Sequence, residues 1–181
     1  ATAMGVSIKH TCTFGFPLRE EVALGQIERL PMEDEIQWAI RRGGAEKIRD
    51  RIGLDSYVGT DFDVSGYRLS GGEKQRIGVS RAFMGDKQVL ILDEPAAMLD
   101  PIAEYRQFQE IRGQIAGQTA ILISHSIGFA RLADRILVME DGRIVEDGSH
   151  EELMRRGGIY RRMFEAQKER YDDVEGEVQG I

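Results

Sequence analysis

The order of apolar runs and helical periodicities predicts an α/β fold built on buried parallel strands. Three observations carry this reading. Val89-Leu90-Ile91-Leu92 is too short and too uniformly apolar for a surface helix, and reads as a buried strand. Thr119 to Ser124 is a second such run. Between them Pro101 opens a helix in which Tyr105, Phe108, Ile111 and Ile115 recur three or four apart, with Gly117 after its end. Strand, helix and strand thus alternate, as parallel pairing requires.

In chain order, residues 1–18 read as irregular or extended, with Val6, Ile8 and Phe14 as apolar elements and a break at Phe16-Pro17. Met32 to Ile52 reads as two helices. The first has Glu33, Asp34 and Glu35 where a helix N-terminus favours negative charge, and Arg41-Arg42 just before the Gly43-Gly44 stop. The second runs from Ala45 to Ile52, and the pair forms a small helical lobe ending in the loop Tyr57 to Leu69. A helix from about Ser70 to Met84 precedes the first strand. After the second strand come a helix from about Ser126 to Ala133, a strand from Ile136 to Met139, an Asp141-Gly142 turn and a strand from Arg143 to Val145. Ser149 and Glu152 match the S-x-x-E capping box. The last helix runs from about Ile159 to Tyr171. The expected division is 1–18 as a poorly defined segment, 19–84 as the helical subdomain with the Ser70 helix, 85–171 as an α/β lobe, and 172–181 as a frayed acidic tail.

Composition narrows the function. A chain of 181 residues holds one well-filled core with room for a smaller lobe. A net charge of -7 without a Lys/Arg stripe argues against a nucleic-acid partner. Arg155, Arg156, Arg161 and Arg162 lie among Glu151, Glu152 and Glu165, and read as a solvated helix face. Cys12 is the single cysteine, so neither an internal disulfide nor a cysteine metal cluster can form, which suits a reducing compartment. No apolar stretch reaches the ~18 residues that span a bilayer, so a membrane link is expected to run through a partner or a further segment. A first residue of Ala leads us to expect a piece of a longer chain.

In α/β sheets ligands sit at the carboxyl ends of the strands, and both strands end in reactive residues. The first runs into Asp93-Glu94-Pro95, the second into His125. Two carboxylates after an apolar strand are costly unless they face a cation or a reacting group. Asp93 is then a natural Mg2+ partner and Glu94 a natural base for an attacking water. Taken alone, the pair reads equally well as two carboxylates at an exposed strand end, and His125 as a structural histidine. The segment Leu69-Ser70-Gly71-Gly72-Glu73 is more specific. Ser70 and Glu73 form a capping box, while Gly71 and Gly72 leave first-turn N–H groups uncovered, as a phosphate at a helix N-terminus needs. Two glycines in that turn cost roughly 1 kcal/mol each against alanine, which argues for close approach over mere capping.

The combination decides. Leu-Ser-Gly-Gly-Glu at 69–73, Leu-Ile-Leu-Asp-Glu-Pro at 90–95, Leu-Asp at 99–100 and Ile-Ser-His at 123–125 resemble, in order and separation, the signature motif, Walker B, D-loop and H-loop of ABC-transporter ATPases. Residues 134–158 resemble the exporter type, and the resemblance covers roughly residues 14–171. It implies a P-loop NTPase-like core with a small α-helical signature subdomain, in which Asp93 holds Mg2+ through water, Glu94 polarises the attacking water and His125 stabilises the γ-phosphate. Ser70, Gly71, Gly72 and Glu73 would serve an ATP held by a second ABC ATPase domain, with Asp100 joining the two sites. Transmembrane domains as partners and a place at the cytoplasmic face of the membrane follow from the same resemblance, as does contact of the loop 57–65 with transmembrane helices.

The sequence also departs from the family. It contains no G-x-x-x-x-G-K-[ST]. Residues 9–18 fall where the family has a glutamine-containing loop, and aligning Phe16-Pro17-Leu18 puts Thr11 near that glutamine. Ala96 and Ala97 stand in place of the usual Thr and Ser. Two alternatives accompany the ATPase reading: a non-catalytic partner supplying only the signature face, and the C-terminal lobe of an SMC-type ATPase, which would bring long heptad segments that this sequence lacks.

Overall fold

The apolar run at 89–92 does form a strand. In a computed structural model, β2 (Val89–Asp93) lies between β1 (Met4–Ser7) and β3 (Thr119–Ile123) and is parallel to both. The structure describes residues 4–9, 11–29, 31–60, 63–95, 101–115, 117–126 and 130–167. They fall into two units: Ala1–Leu99 with Arg106–Ile123, and Asp100–Tyr105 with Ser124–Ile181.

The first unit holds the sheet and the helices α1 (Leu18–Ala23), α2 (Glu33–Arg42), α3 (Glu46–Ile52) and α4 (Gly71–Phe83), with most of α5 (Pro101–Gln114). Parallel strands need a long crossover, and the helical segments α1 to α4 provide it between β1 and β2. Burial in the sheet is one-sided. Gly5, Ser7, Leu90 and Leu92 are buried, whereas Met4, Val6, Ile121 and Ile123 on the alternate positions are about half exposed. A uniformly apolar strand predicts two covered faces, yet in this unit the helices pack on one. Its core joins Leu18 and Val22 of α1, Ile36 and Ile40 of α2, Ile77 and Phe83 of α4 and the two strand leucines. Gly5 explains how β1 comes so close: a Cβ there would lie 2.0 Å from the Ala82 carbonyl oxygen of α4. Arg42 closes the far end of the core, with its guanidinium 4.5 Å from the Trp38 ring and 4.6 Å from that of Phe83.

The second unit contains the hairpin β4 (Ile136–Glu140) and β5 (Arg143–Gly148), then α6 (His150–Arg156) and a further helical stretch, residues 159–167, labelled α7. Asp141 (φ 48°) and Gly142 (φ 73°) form the tight turn between the strands, the pair of positive φ values that a two-residue hairpin favours. Ser149 caps α6 reciprocally with Glu152, as its sequence predicts. Ile136, Leu153 and Tyr160 form the unit's core. His150 Nδ1 lies 2.8 Å from the Tyr160 hydroxyl, and burial pushes that phenol up to about 12. Arg155, Arg156, Arg161 and Arg162 are exposed.

Candidate active site

Asp93 is the last residue of β2, paired in register with Ile123 of β3, and Glu94 follows it. Glu94 is where the backbone becomes unusual. Its φ is +45°, a conformation costing a non-glycine residue of order 1–3 kcal/mol that persists only when its surroundings enforce it. They do so here from several sides. The Glu94 N–H donates to the Ile123 carbonyl at 2.8 Å, which extends the β2–β3 ladder one residue. Gln75, buried in the second turn of α4, donates its side-chain amide to the Glu94 carbonyl. Gln107 of α5, also buried, donates to the next carbonyl, that of Pro95, at 2.9 Å. The Glu94 carboxylate, in a residue only 8% exposed, meets the Lys9 ammonium at 2.5 Å. A nearly buried carboxylate on a strained, clamped backbone is the arrangement of a functional group held in one direction.

Asp93 differs. Among the described residues no hydrogen bond or ion pair engages its carboxylate, and no three His, Cys, Asp or Glu side chains converge around it. That suits Mg2+, which takes one or two carboxylates and draws its remaining ligands from water and phosphate.

The N-terminus of α4 is the second half of the candidate site. Ser70 Oγ accepts the Glu73 N–H at 3.3 Å, and the Glu73 carboxylate accepts the Ser70 N–H at 2.9 Å. The first intrahelical bond is Lys74 N–H to Ser70 O at 3.0 Å, so the Gly71 and Gly72 N–H groups lie ahead of the helical ladder. Ser70 and Gly71 are exposed. Partial burial works against ionisation of Glu73, but the hydrogen bonds with Ser70 and the Arg51 guanidinium at 2.7 Å outweigh it and hold the carboxyl below its usual range. Gln75 links the two halves, because the helix that presents Ser70 also grips Glu94.

Comparison with known proteins fits this geometry. The ABC transporter family matches residues 10–97. Three relatives align over most of the chain. The subtilin transport ATP-binding protein SpaT of Bacillus subtilis is 38% identical over 152 residues, 83% of this chain and 25% of its own length. An ATP-dependent lipid A-core flippase of Burkholderia orbicola is 42% identical over 159 residues, 85% of this chain and 25% of its own length. The ABC multidrug transporter MDR2 of Trichophyton interdigitale is 35% identical over 174 residues, 91% of this chain and 13% of its own length. The chain belongs to the ABC-transporter ATPase family. The structure of a bacterial Atm1-family ABC exporter with ATP bound superposes with a TM-score of 0.77 at 29% identity, covering 91% of this chain and 28% of that one. The chain therefore spans about a quarter or less of the length of the relatives it matches.

Within this ABC ATPase domain, Asp93, Glu94 and Ser70 to Glu73 sit in the first unit. His125 is two residues past β3 and exposed, belongs to the second unit, and its carbonyl accepts the Gln167 amide at 3.2 Å. Asp100 lies outside the described residues, as do Ala96, Ala97 and residues 168–181. Thr11 packs against Gly78 of α4 and donates to the Ile8 carbonyl at 3.2 Å. Sequence reasoning missed Lys9, which the β1–β2 register places beside the carboxylates. It also missed a buried tie between α1 and α4. The Glu21 carboxylate, 0% exposed, pairs with Arg81 and accepts the Phe14 N–H at 2.6 Å and the Phe16 N–H at 3.2 Å. Arg81 donates further to the Glu21 carbonyl at 2.6 Å and the Cys12 carbonyl at 2.8 Å. No sequence motif signals either feature, since both pair residues far apart in the chain.

Proposed function

We propose that this domain hydrolyses ATP for an exporter-type ABC transporter, working head to tail with a second ABC ATPase domain and coupled to transmembrane domains at the cytoplasmic face of the membrane. The observation that carries the reading is the clamped Glu94. A general base must be aimed before it is useful, and the Glu94 backbone is fixed by partners on β3 and α4, with α5 holding the neighbouring Pro95 carbonyl, at the carboxyl end of a parallel strand. In this reading Glu94 takes the proton of the attacking water, Asp93 would hold Mg2+ through water, and His125 donates toward the γ-phosphate oxygens. Mg2+–ATP supplies the phosphoryl group and the charge that neutralises its oxygens. Ser70, Gly71 and Gly72 donate to the γ-phosphate of the ATP held by the opposite domain, and Asp100 joins the two sites. No helix among the described residues is long and apolar enough to cross a membrane, so the transmembrane partners are sought in other segments or chains.

The test joins the chain to an upstream segment carrying a phosphate loop and measures Mg-ATP turnover. Glu94→Gln is expected to lower it by about 10²–10⁴-fold, the range for loss of a general base. Full turnover in that variant removes Glu94 from the mechanism. The non-catalytic partner reading is favoured by one feature, the exposed and complete signature end of α4. Under it, Ser70→Arg abolishes turnover of a partner domain, whereas Glu94→Gln leaves it intact.

A further inference from the structure

The β1–β2 ladder ends with Ser7 opposite Leu92. Continued two residues, that register sets Lys9 across from Glu94, and the ammonium lies 2.5 Å from the carboxylate. The Lys9 side chain is 40% exposed while that of Glu94 is 9% exposed, so a solvent-accessible cation caps a nearly buried anion. Such a contact does two things to a base. It occupies a lone pair that would accept the water's proton, and its positive charge opposes the arrival of that proton. The Glu94 backbone does not depend on it, being held by Ile123, Gln75 and, through Pro95, Gln107.

We propose that Lys9 is a positioning residue that latches Glu94: it holds the carboxylate in an ion pair that Mg2+ and ATP must displace before Glu94 can serve as a base. The inference rests on the reading of Glu94 as the general base. It makes Lys9 a brake on the engagement of Mg2+ and ATP, and it assigns a task to the segment that precedes Thr11.

Two measurements test it. In the chain joined to a phosphate-loop segment, Lys9→Met is expected to lower the KM for ATP about fivefold with kcat unchanged, the scale of a solvent-accessible ion pair. Lys9→Arg, which keeps the charge, should restore the higher KM. In the Glu94→Gln background, Lys9→Met should change nothing. The second readout needs no turnover. Carbodiimide treatment of the 181-residue chain should join Lys9 to Glu94 as an amide detectable by mass spectrometry, and in the joined chain saturating Mg2+ and ATP should lower its yield at least fivefold. An unchanged or raised KM in Lys9→Met, alongside collapse of turnover in Glu94→Gln, overturns the latch and leaves Glu94 as the base. Full turnover in Glu94→Gln overturns both. A cross-link yield indifferent to Mg2+ and ATP also overturns the latch.

Discussion

The two halves of the site are built in opposite ways. The end of β2 holds an awkward geometry from within: Glu94 is nearly buried, adopts a positive φ, and is gripped from β3 and α4, while Gln107 of α5 holds the next carbonyl, that of Pro95. The start of α4 holds an ordinary geometry from its own sequence. Ser70 and Glu73 cap each other, the dihedrals are those of a normal N-cap, and the donors face outward. A group that acts on a ligand bound to its own domain needs its direction enforced by neighbours. A surface offered to a ligand on another domain needs only a rigid edge and access. The contrast thus matches the division of labour proposed above.

The largest effect should come from loosening the enforced side. Gln75→Leu removes the grip on the Glu94 carbonyl, and a misplacement of about 1 Å is expected to lower turnover on the order of 10²-fold. Measured kcat near wild type would show that Glu94 is not directed by α4. Next in size is a paired comparison at Glu94 itself. Alanine and glycine both delete the carboxylate, but only glycine is at ease at φ +45°, so Glu94→Gly should be more stable than Glu94→Ala by about 1–2 kcal/mol in urea unfolding. That reverses the usual ranking of the two residues, and the usual ranking would contradict the strain. On the self-capped side, Ser70→Ala should cost about 1 kcal/mol of stability, with no change in amide protection at Glu94.

The smallest effect is a pH response. Glu73 sits below its ordinary value of 4.5, so its capping contribution is fully present above that value and is lost as pH falls through the lowered one. Protection of the Ser70 and Glu73 amides, corrected for the pH dependence of intrinsic exchange, should therefore fall below pH 4.5 before that of Leu90 to Leu92. Simultaneous loosening of both regions would erase the distinction between them.

What was legible in the sequence follows the same contrast. Local chemistry was readable: both capping boxes, the Asp141-Gly142 turn, and the strands at 89 and 119 all arise from neighbouring residues. Non-local chemistry was not. Residues 1–18 read as irregular or extended, and four of them form β1, because Met-Gly-Val-Ser has weak strand character and Gly5 earns its place only by lying against Ala82. α1 has only six residues and starts directly after Pro17, too short for a periodicity to show. The positive φ of Glu94 leaves no mark in composition, since a strained residue is chosen for its task rather than for its backbone. Lys9 becomes visible only when the register of β1 against β2 is known.

The Glu21–Arg81 tie has a mechanical consequence. Arg81 belongs to the last turn of α4, and its guanidinium reaches the carboxylate and carbonyl of Glu21 and the carbonyl of Cys12, while the same carboxylate holds the N–H groups of Phe14 and Phe16. The carboxylate is removed from water, so its bonds to Arg81, Phe14 and Phe16 cannot be exchanged for solvent without cost. The strap of residues 12–16 and α4 are thus welded at one end. Any push on Phe14, which is half exposed, is delivered to the tail of the rod whose tip carries Ser70.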